Sequence, residues 1–197
     1  MVEEQLIPRG IRDPKILRAF LDVPRHEFIP EAGREEAYAD YPLPLAEGQT
    51  ISQPYIVALM TAALRLGGGE RVLEIGAGSG YQAAILSRLA REVYSIERVG
   101  ALAERARRAL ERLGYRNVRV ILGDGTLGWA EAAPYEAIIV TAGAPHVPAP
   151  LVDQLAEGGR LVIPVGGGYS QELLALTQEK GEIVAERMGA CVFVPHV

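Results

Sequence analysis

A carboxylate followed by three evenly spaced glycines is the arrangement in this sequence best suited to chemistry. Glu74 lies in a short apolar run, and Gly76, Gly78 and Gly80 follow it with one residue between each. Glycines at this spacing let the backbone approach a nucleotide-like ligand where a strand turns into a helix. A tight turn without any ligand needs the same glycine backbone angles. The pattern therefore predicts a turn that binds a nucleoside, with a purely structural turn as the alternative.

The charge of Glu74 narrows the choice of ligand. An acid beside the glycines repels a dinucleotide pyrophosphate, and Tyr81 stands where the dinucleotide spacing requires glycine or alanine. S-adenosylmethionine suits the site better, because it is an adenosine with no phosphate and carries an ammonium on its amino-acid tail. Glu97 ends the next apolar run, about 20 residues past the glycines, where an acid can bind both ribose hydroxyls. A solvated loop charge is the alternative role for Glu97.

Ser52 is the candidate residue for acceptor chemistry. It lies in Gly48–Tyr55, and Pro54 follows two residues later. A serine followed by proline is typical of a helix N-cap, which is the alternative role for Ser52. A hydrolytic serine is not indicated, since no Gly-x-Ser-x-Gly elbow surrounds it and the three histidines carry no local pairing signal.

Alternating strands and helices from residue 71 onward must position these residues. The predicted strands are Arg71–Ile75, Glu92–Ile96, Val118–Leu122, Glu136–Thr141 and Arg160–Pro164, and the predicted helices are Ser79–Leu89, Val99–Leu113 and Pro148–Ala156. Glu172–Gln178 and Ile183–Val194 lack a helix between them and are typical of an antiparallel pair. The chain is thus predicted to be an α/β protein with a doubly wound, mostly parallel, seven-stranded Rossmann-like sheet and an antiparallel C-terminal hairpin.

The first 70 residues differ from the rest and are punctuated by prolines. Asp13 and Pro14 predict a capped helix over Lys15–Leu21, and a second helix is predicted over residues 53–66. This part is too short for a separate domain. We expect it to form a helical cap over the open ends of the strands, within a single domain covering residues 1–197.

Composition excludes several classes of protein. The chain has 197 residues, 49% hydrophobic and 23% charged, with a net charge of −5, which disfavours nucleic acid as a partner. No apolar run has membrane-spanning length, and the N-terminus lacks a signal-peptide pattern. Cys191 is the single cysteine, which suits a reducing cytoplasm, and the three scattered histidines form no metal-ligand cluster.

Eight segments in order along the chain resemble the protein-L-isoaspartate O-methyltransferase family. These segments are Pro24–Pro30, Leu43–Leu45, Gly48–Tyr55, Val72–Gly80, Gly123–Gly125, Ala133–Thr141, Leu155–Gly166 and Val192–Pro195. The glycine motif and Asp124 are shared by many methyltransferases, whereas Thr50–Pro54 is far more specific to this family.

The resemblance implies a role for each matching residue. Ser52 becomes the active-site serine, and Val192, Phe193 and Val194 become the wall for an extended substrate peptide, with a plain core strand as the alternative for Phe193. The implied cofactor-binding residues are Thr50, Ile51, Tyr55, Glu74, Gly76, Gly78, Ser79, Glu97, Arg98, Asp124, Gly125, Thr141 and Gln171. For Gln171 a polar residue at a strand edge is the alternative.

The family's activity is methyl transfer from S-adenosylmethionine to the free α-carboxyl of isoaspartyl residues in damaged proteins, which starts their repair through a succinimide. We also expect a cytoplasmic monomer that uses neither metal nor membrane. Three alternatives remain open from the residues alone. They are a methyltransferase with another acceptor, a nicotinamide dehydrogenase and a non-catalytic S-adenosylmethionine-binding protein.

Overall fold

A seven-stranded sheet forms the centre of the molecule in the computed structural model, which describes residues 1–45, 47–167 and 170–193. The strands are β1 (Leu43–Pro44), β2 (Thr50–Ile51), β3 (Arg71–Ile75), β4 (Glu92–Glu97), β5 (Val118–Leu122), β6 (Tyr135–Val140), β7 (Leu155–Gly167), β8 (Ser170–Glu179) and β9 (Glu182–Cys191). The α-helices are α1 (Pro14–Asp22), α2 (Pro54–Ala63), α3 (Tyr81–Ser87), α4 (Gly100–Arg112) and α5 (Ala149–Asp153). Short π or 3₁₀ turns cover Val2–Leu6, Ile7–Arg9, Arg25–Phe28, Glu31–Glu36, Gly125–Leu127 and Ala130–Ala132.

The strand order in the large sheet is β5-β4-β3-β6-β7-β8-β9. The first five strands in this order run parallel, and β8 is antiparallel to both of its neighbours. Lys180 and Gly181 join β8 to β9 with φ angles of 53° and 81°, as a tight hairpin turn of the mirror-image type requires. The predicted fold class is therefore confirmed. A separate two-stranded sheet pairs β1 with β2.

The central strands are buried on both faces because helices or loops cover each side. Val72 of β3 packs into one hydrophobic core together with α3, while its neighbour Leu73 packs into a second core on the opposite face. Neither side chain has any exposed surface. This explains why the β3 and β6 segments are apolar at successive positions rather than alternating.

The residues before β3 pack into the first of these cores. Phe20 and Phe28 place their rings 6.2 and 5.7 Å from that of Tyr81, the first residue of α3. The Asp13 side chain accepts a hydrogen bond from the Lys15 amide, so α1 begins with the predicted cap. No helix in the described residues is long and apolar enough to cross a membrane.

Several predicted boundaries were wrong, each for a local reason. Strand β7 begins at Leu155, which was assigned to a helix, because Leu155 pairs with Tyr135 before the register shifts to a pairing of Arg160 with Ala137. Helix α2 ends at Ala63 rather than at residue 66, since Arg65 adopts a left-handed φ of 55°. Helices α3 and α5 are likewise shorter than predicted, and Val194 lies outside the described residues.

Candidate active site

A cavity lies where the carboxyl ends of β3, β4 and β6 face the segment around Ser52. Eleven of the predicted site residues line it, and they are Thr50, Ile51, Ser52, Gly76, Gly78, Ser79, Glu97, Arg98, Gly125, Thr141 and Phe193. Parallel strands bring their carboxyl ends to one edge of a sheet, so residues far apart in sequence meet here. The N-terminal segment closes the cavity from the opposite side.

The turn after β3 depends on the small size and backbone freedom of Gly76. Gly76 has a φ of 98°, and a Cβ at this position would lie 2.7 Å from Oγ1 of Thr141. The Thr141 hydroxyl lies 3.0 and 2.7 Å from the carbonyl oxygens of Ile75 and Gly76 and donates to them. Thr141 thus ties the glycine turn to the end of β6, and any larger residue at position 76 would break that contact.

Glu97 holds the same turn from the side of β4. Its carboxylate accepts hydrogen bonds from the amides of Gly78 at 2.8 Å and Val99 at 3.0 Å. The side chain lines the cavity although only 6% of the residue is exposed. A carboxylate has about four acceptor positions, so two remain for hydroxyl donors of a ligand.

Glu74 does not reach the cavity. It is fully buried, Ser95 donates a hydrogen bond to its Oε2 at 2.5 Å, and Oε1 has no hydrogen-bond partner among the described residues. Burial raises the pKa of Glu74 to about 8, with a further increase from the nearby charge of Glu97, against the lowering effect of the Ser95 bond. The acid on the cavity wall is therefore Glu97, and the burial of Glu74 does not support the argument that its charge selects the ligand.

Ser52 lies two residues before the start of α2, and a hydrogen bond fixes its backbone. Its carbonyl oxygen accepts a hydrogen bond from Nη2 of the buried Arg25 at 2.8 Å. The residue at the N-cap of α2 is Gln53, which makes no side-chain capping bond and instead donates from Nε2 to the Asp40 carbonyl at 2.8 Å. Ser52 is therefore not the helix cap, and it lines the cavity.

Two further residues predicted to bind the cofactor, Tyr55 and Asp124, have other contacts in the structure. The Tyr55 ring packs against the Arg9 guanidinium, with 4.3 Å between the ring centroid and the guanidinium carbon. Tyr55 does not line the cavity. Asp124 caps the short turn over Gly125–Leu127 by accepting from the Thr126 amide at 2.9 Å. Asp124 does not line the cavity, whereas its neighbour Gly125 does.

Gln171, on β8, also lies behind the cavity rather than on its wall. Its Oε1 accepts from the Phe193 amide at 2.6 Å, and its Nε2 lies 3.3 Å from the Phe193 carbonyl oxygen. Phe193 itself is 8% exposed and lines the cavity, whereas Val192 is 72% exposed and points elsewhere. Of the predicted peptide wall, the described residues are Val192 and Phe193, of which Phe193 reaches the cavity, and Val194 is outside the described part of the chain.

Sequence analysis missed part of the apolar lining. Val57 and Met60 face the cavity from α2, and their spacing of three residues on the helix that follows Ser52 could have identified them. Tyr81 and Gln82 line it from the first turn of α3. Among the described residues, no three His, Cys, Asp or Glu side chains come together as metal ligands would.

The strand order, the glycine turn after β3 and the acid at the end of β4 define a Rossmann-like methyltransferase. The family model for protein-L-isoaspartate(D-aspartate) O-methyltransferase matches residues 1–197. Curated relatives include the protein-L-isoaspartate O-methyltransferase of Geobacter metallireducens, 58% identical over 100% of this chain and 92% of its own. That of Syntrophus aciditrophicus is 55% identical over 98% of this chain and 90% of its own.

Solved structures agree with these relatives. One protein-L-isoaspartate O-methyltransferase superimposes with a TM-score of 0.89 at 34% identity, covering 99% of this chain and 65% of that chain. A candidate protein-L-isoaspartate O-methyltransferase from Plasmodium falciparum, in complex with S-adenosyl-L-homocysteine, gives 0.86 at 29% identity, covering 100% and 96%. The chain belongs to the protein-L-isoaspartate(D-aspartate) O-methyltransferase family.

Proposed function

We propose that this protein transfers a methyl group from S-adenosylmethionine to the free α-carboxyl of L-isoaspartyl residues in damaged proteins and peptides. The backbone nitrogen that follows the isoaspartyl residue then attacks the methyl ester carbonyl, methanol leaves, and the resulting succinimide begins the repair. The observation that carries the proposal is one cavity that joins the glycine turn to the Ser52 segment. Membership in the family supports the choice of acceptor.

The cavity fits the proposed cofactor. Glu97 offers acceptor positions for two ribose hydroxyls while its carboxylate would repel a phosphate. The turn at Gly76 and Gly78 lets a ligand approach the backbone closely, with Ser79 beside it for the amino-acid end. Gly125 and Arg98 are the residues that would contact the adenine.

Ser52 orients the acceptor in this account. The isoaspartyl carboxyl has an ordinary pKa of roughly 3.5, so it is an anion at neutral pH and needs no general base. When bound, S-adenosylmethionine supplies a methyl group on a sulfonium centre. The Ser52 hydroxyl donates a hydrogen bond to the acceptor carboxylate, while Ile51, Val57 and Met60 exclude water from the wall beside it.

Phe193 is the proposed contact for the substrate peptide. Gln171 binds both the amide and the carbonyl of Phe193, which fixes this residue at the cavity edge. We further propose a single domain over residues 1–197 that acts as a cytoplasmic monomer. A net charge of −5 supports the absence of nucleic acid among its partners.

The Ser52→Ala variant tests the proposal. Loss of a hydrogen bond to a charged group should lower kcat/KM for an isoaspartyl peptide by about 10- to 100-fold. The cofactor Kd, measured by calorimetry, should stay nearly unchanged. Ser87→Ala is the matched control, because the Ser87 hydroxyl donates to the Ala84 carbonyl at the end of α3 and does not line the cavity. An equal loss of cofactor affinity in Ser52→Ala would refute the role of Ser52.

A further inference from the structure

Arg25 is a buried cation without a counter-ion. It lies in the turn Arg25–Phe28, and its exposed fraction is 0%. No carboxylate in the described ranges pairs with it, although ten arginine–carboxylate pairs are present there. Burying an unpaired guanidinium is costly, so its position calls for a specific explanation.

The three groups around Arg25 come from three separate parts of the chain. Nε donates to the Ala37 carbonyl at 2.7 Å, and Nη2 donates to the Ser52 carbonyl at 2.8 Å. The guanidinium plane faces the ring of Tyr81, with 4.8 Å from its carbon to the ring centroid. Arg25 therefore fixes the Ser52 backbone relative to the first residue of α3, which follows the glycine turn directly.

We propose that Arg25 is a positioning residue for methyl transfer, one that aims the Ser52 hydroxyl at the acceptor by binding the Ser52 carbonyl while its guanidinium packs on the Tyr81 ring. This inference rests on the proposed function. Ser52 and Tyr81 both line the cavity, whereas Arg25 does not, so Arg25 acts through Ser52 rather than on the substrate. The planar fork of arginine suits this task because it can donate in two directions and stack at the same time.

A second buried arginine, Arg160, provides the control, although it differs from Arg25 in lying 3.6 Å from the Glu186 carboxylate. Nε of Arg160 donates to the Ala63 carbonyl at 2.7 Å, and Nη1 lies 3.2 Å from the Thr177 hydroxyl. Arg160 is 9% exposed and holds the end of α2 that lies away from Ser52. A substitution there removes the same kind of bond without touching the acceptor segment.

A double-mutant cycle separates positioning from general stabilisation. The variants are Arg25→Lys, Ser52→Ala and the two together, with Arg160→Lys as control, assayed for kcat/KM on an isoaspartyl peptide and for cofactor Kd. A lysine keeps the charge but cannot reproduce the fork, so Arg25→Lys should lower kcat/KM about tenfold or more while the cofactor Kd changes little. In the Ser52→Ala background the same substitution should have almost no further effect. Arg160→Lys should leave kcat/KM unchanged in both backgrounds.

Three results would overturn the inference. The first is that Arg25→Lys lowers kcat/KM by the same factor in the parent and in the Ser52→Ala background. The second is that Arg25→Lys does not lower kcat/KM at all. If Arg25→Lys does not fold, Arg25→Gln, which removes the buried charge, is taken through the same cycle. The third result is that neither Arg25→Lys nor Arg25→Gln shows a folded state in urea titrations, which would assign Arg25 to stability alone. If Ser52→Ala itself retains full activity, the proposed role of Ser52 fails instead, which is a distinguishable outcome.

Discussion

At the scale of single residues, the cavity depends on side chains that bind backbone rather than ligand. Thr141 and Glu97 hold the glycine turn from the two strands that flank β3, through contacts to Gly76 and Gly78. Glu97 could be identified from its spacing, because an acid at the end of the second strand meets the turn in any sheet of this type. The burial of Glu74 could not be predicted from the sequence, since the position of Ser95 beside it depends on the register between β3 and β4.

Replacing Glu97 with alanine should weaken cofactor binding by roughly 10- to 100-fold, because it removes a charged acceptor and releases the Gly78 amide. The measurement is the Kd for S-adenosylmethionine by calorimetry. Glu92→Ala is the control, since Glu92 has the same charge but lies at the opposite end of β4, 3.2 Å from Arg71. Equal losses in the two variants would contradict a local role for Glu97.

At the scale of elements, the N-terminal segment is held against α3 by an aromatic cluster around Tyr81. Phe20, Phe28 and the Arg25 guanidinium all pack against this ring. The strands of the large sheet were predictable from their apolar runs, and so was the hairpin turn at Lys180 and Gly181. The aromatic cluster was not, because Tyr81 lies 53 residues after Phe28 and the members carry no periodic signal.

The Phe28→Ala variant should lose about 3–5 kcal/mol in the free energy of unfolding, since Phe28 is 1% exposed and its ring fills the space between Tyr81 and Tyr115. Urea titration followed by circular dichroism measures the change. Tyr41→Ala serves as the control, because Tyr41 is 45% exposed and should change stability far less. A loss below about 1 kcal/mol for Phe28→Ala would mean that the N-terminal segment does not depend on this contact.

At the scale of the whole molecule, the large sheet buries Glu74 at its centre, and this burial raises the pKa of its carboxyl. The strand order and the antiparallel hairpin followed from the alternation of elements and its change after β7. The length of β7 could not be predicted from the sequence, because its pairing with β6 resumes only after a register shift. That shift includes Gly158, which has a φ of 75°. Apolar periodicity does not detect such an irregularity, since the strand simply looks interrupted.

Glu74 makes the stability of the whole fold depend on pH. Its folded-state pKa of about 8 lies above the ordinary value of 4.5, so the folded state binds a proton that the unfolded state has lost. The stability that neutral Glu74 contributes is fully present below about 4.5 and is lost progressively as the pH rises through about 8.

The Glu74→Gln variant removes this proton linkage. Its stability relative to the parent should rise as the pH increases from 5 to 8, as measured by urea midpoints at each pH. Glu92→Gln controls for the change in net charge, because Glu92 is partly exposed at the start of β4. A parent and Glu74→Gln variant with parallel pH profiles would show that Glu74 is ionised in the folded protein.

The central claim is the combination of a methyl donor with an isoaspartyl acceptor in one cavity. The most direct measurement offers methyl-labelled S-adenosylmethionine with two peptides that differ only in an isoaspartyl or an aspartyl residue. We predict a base-labile methyl ester on the isoaspartyl peptide alone. Label on both peptides would mean that the acceptor is not selected, and cofactor binding without label on either would mean that the protein binds S-adenosylmethionine for another purpose. Either result would contradict the account.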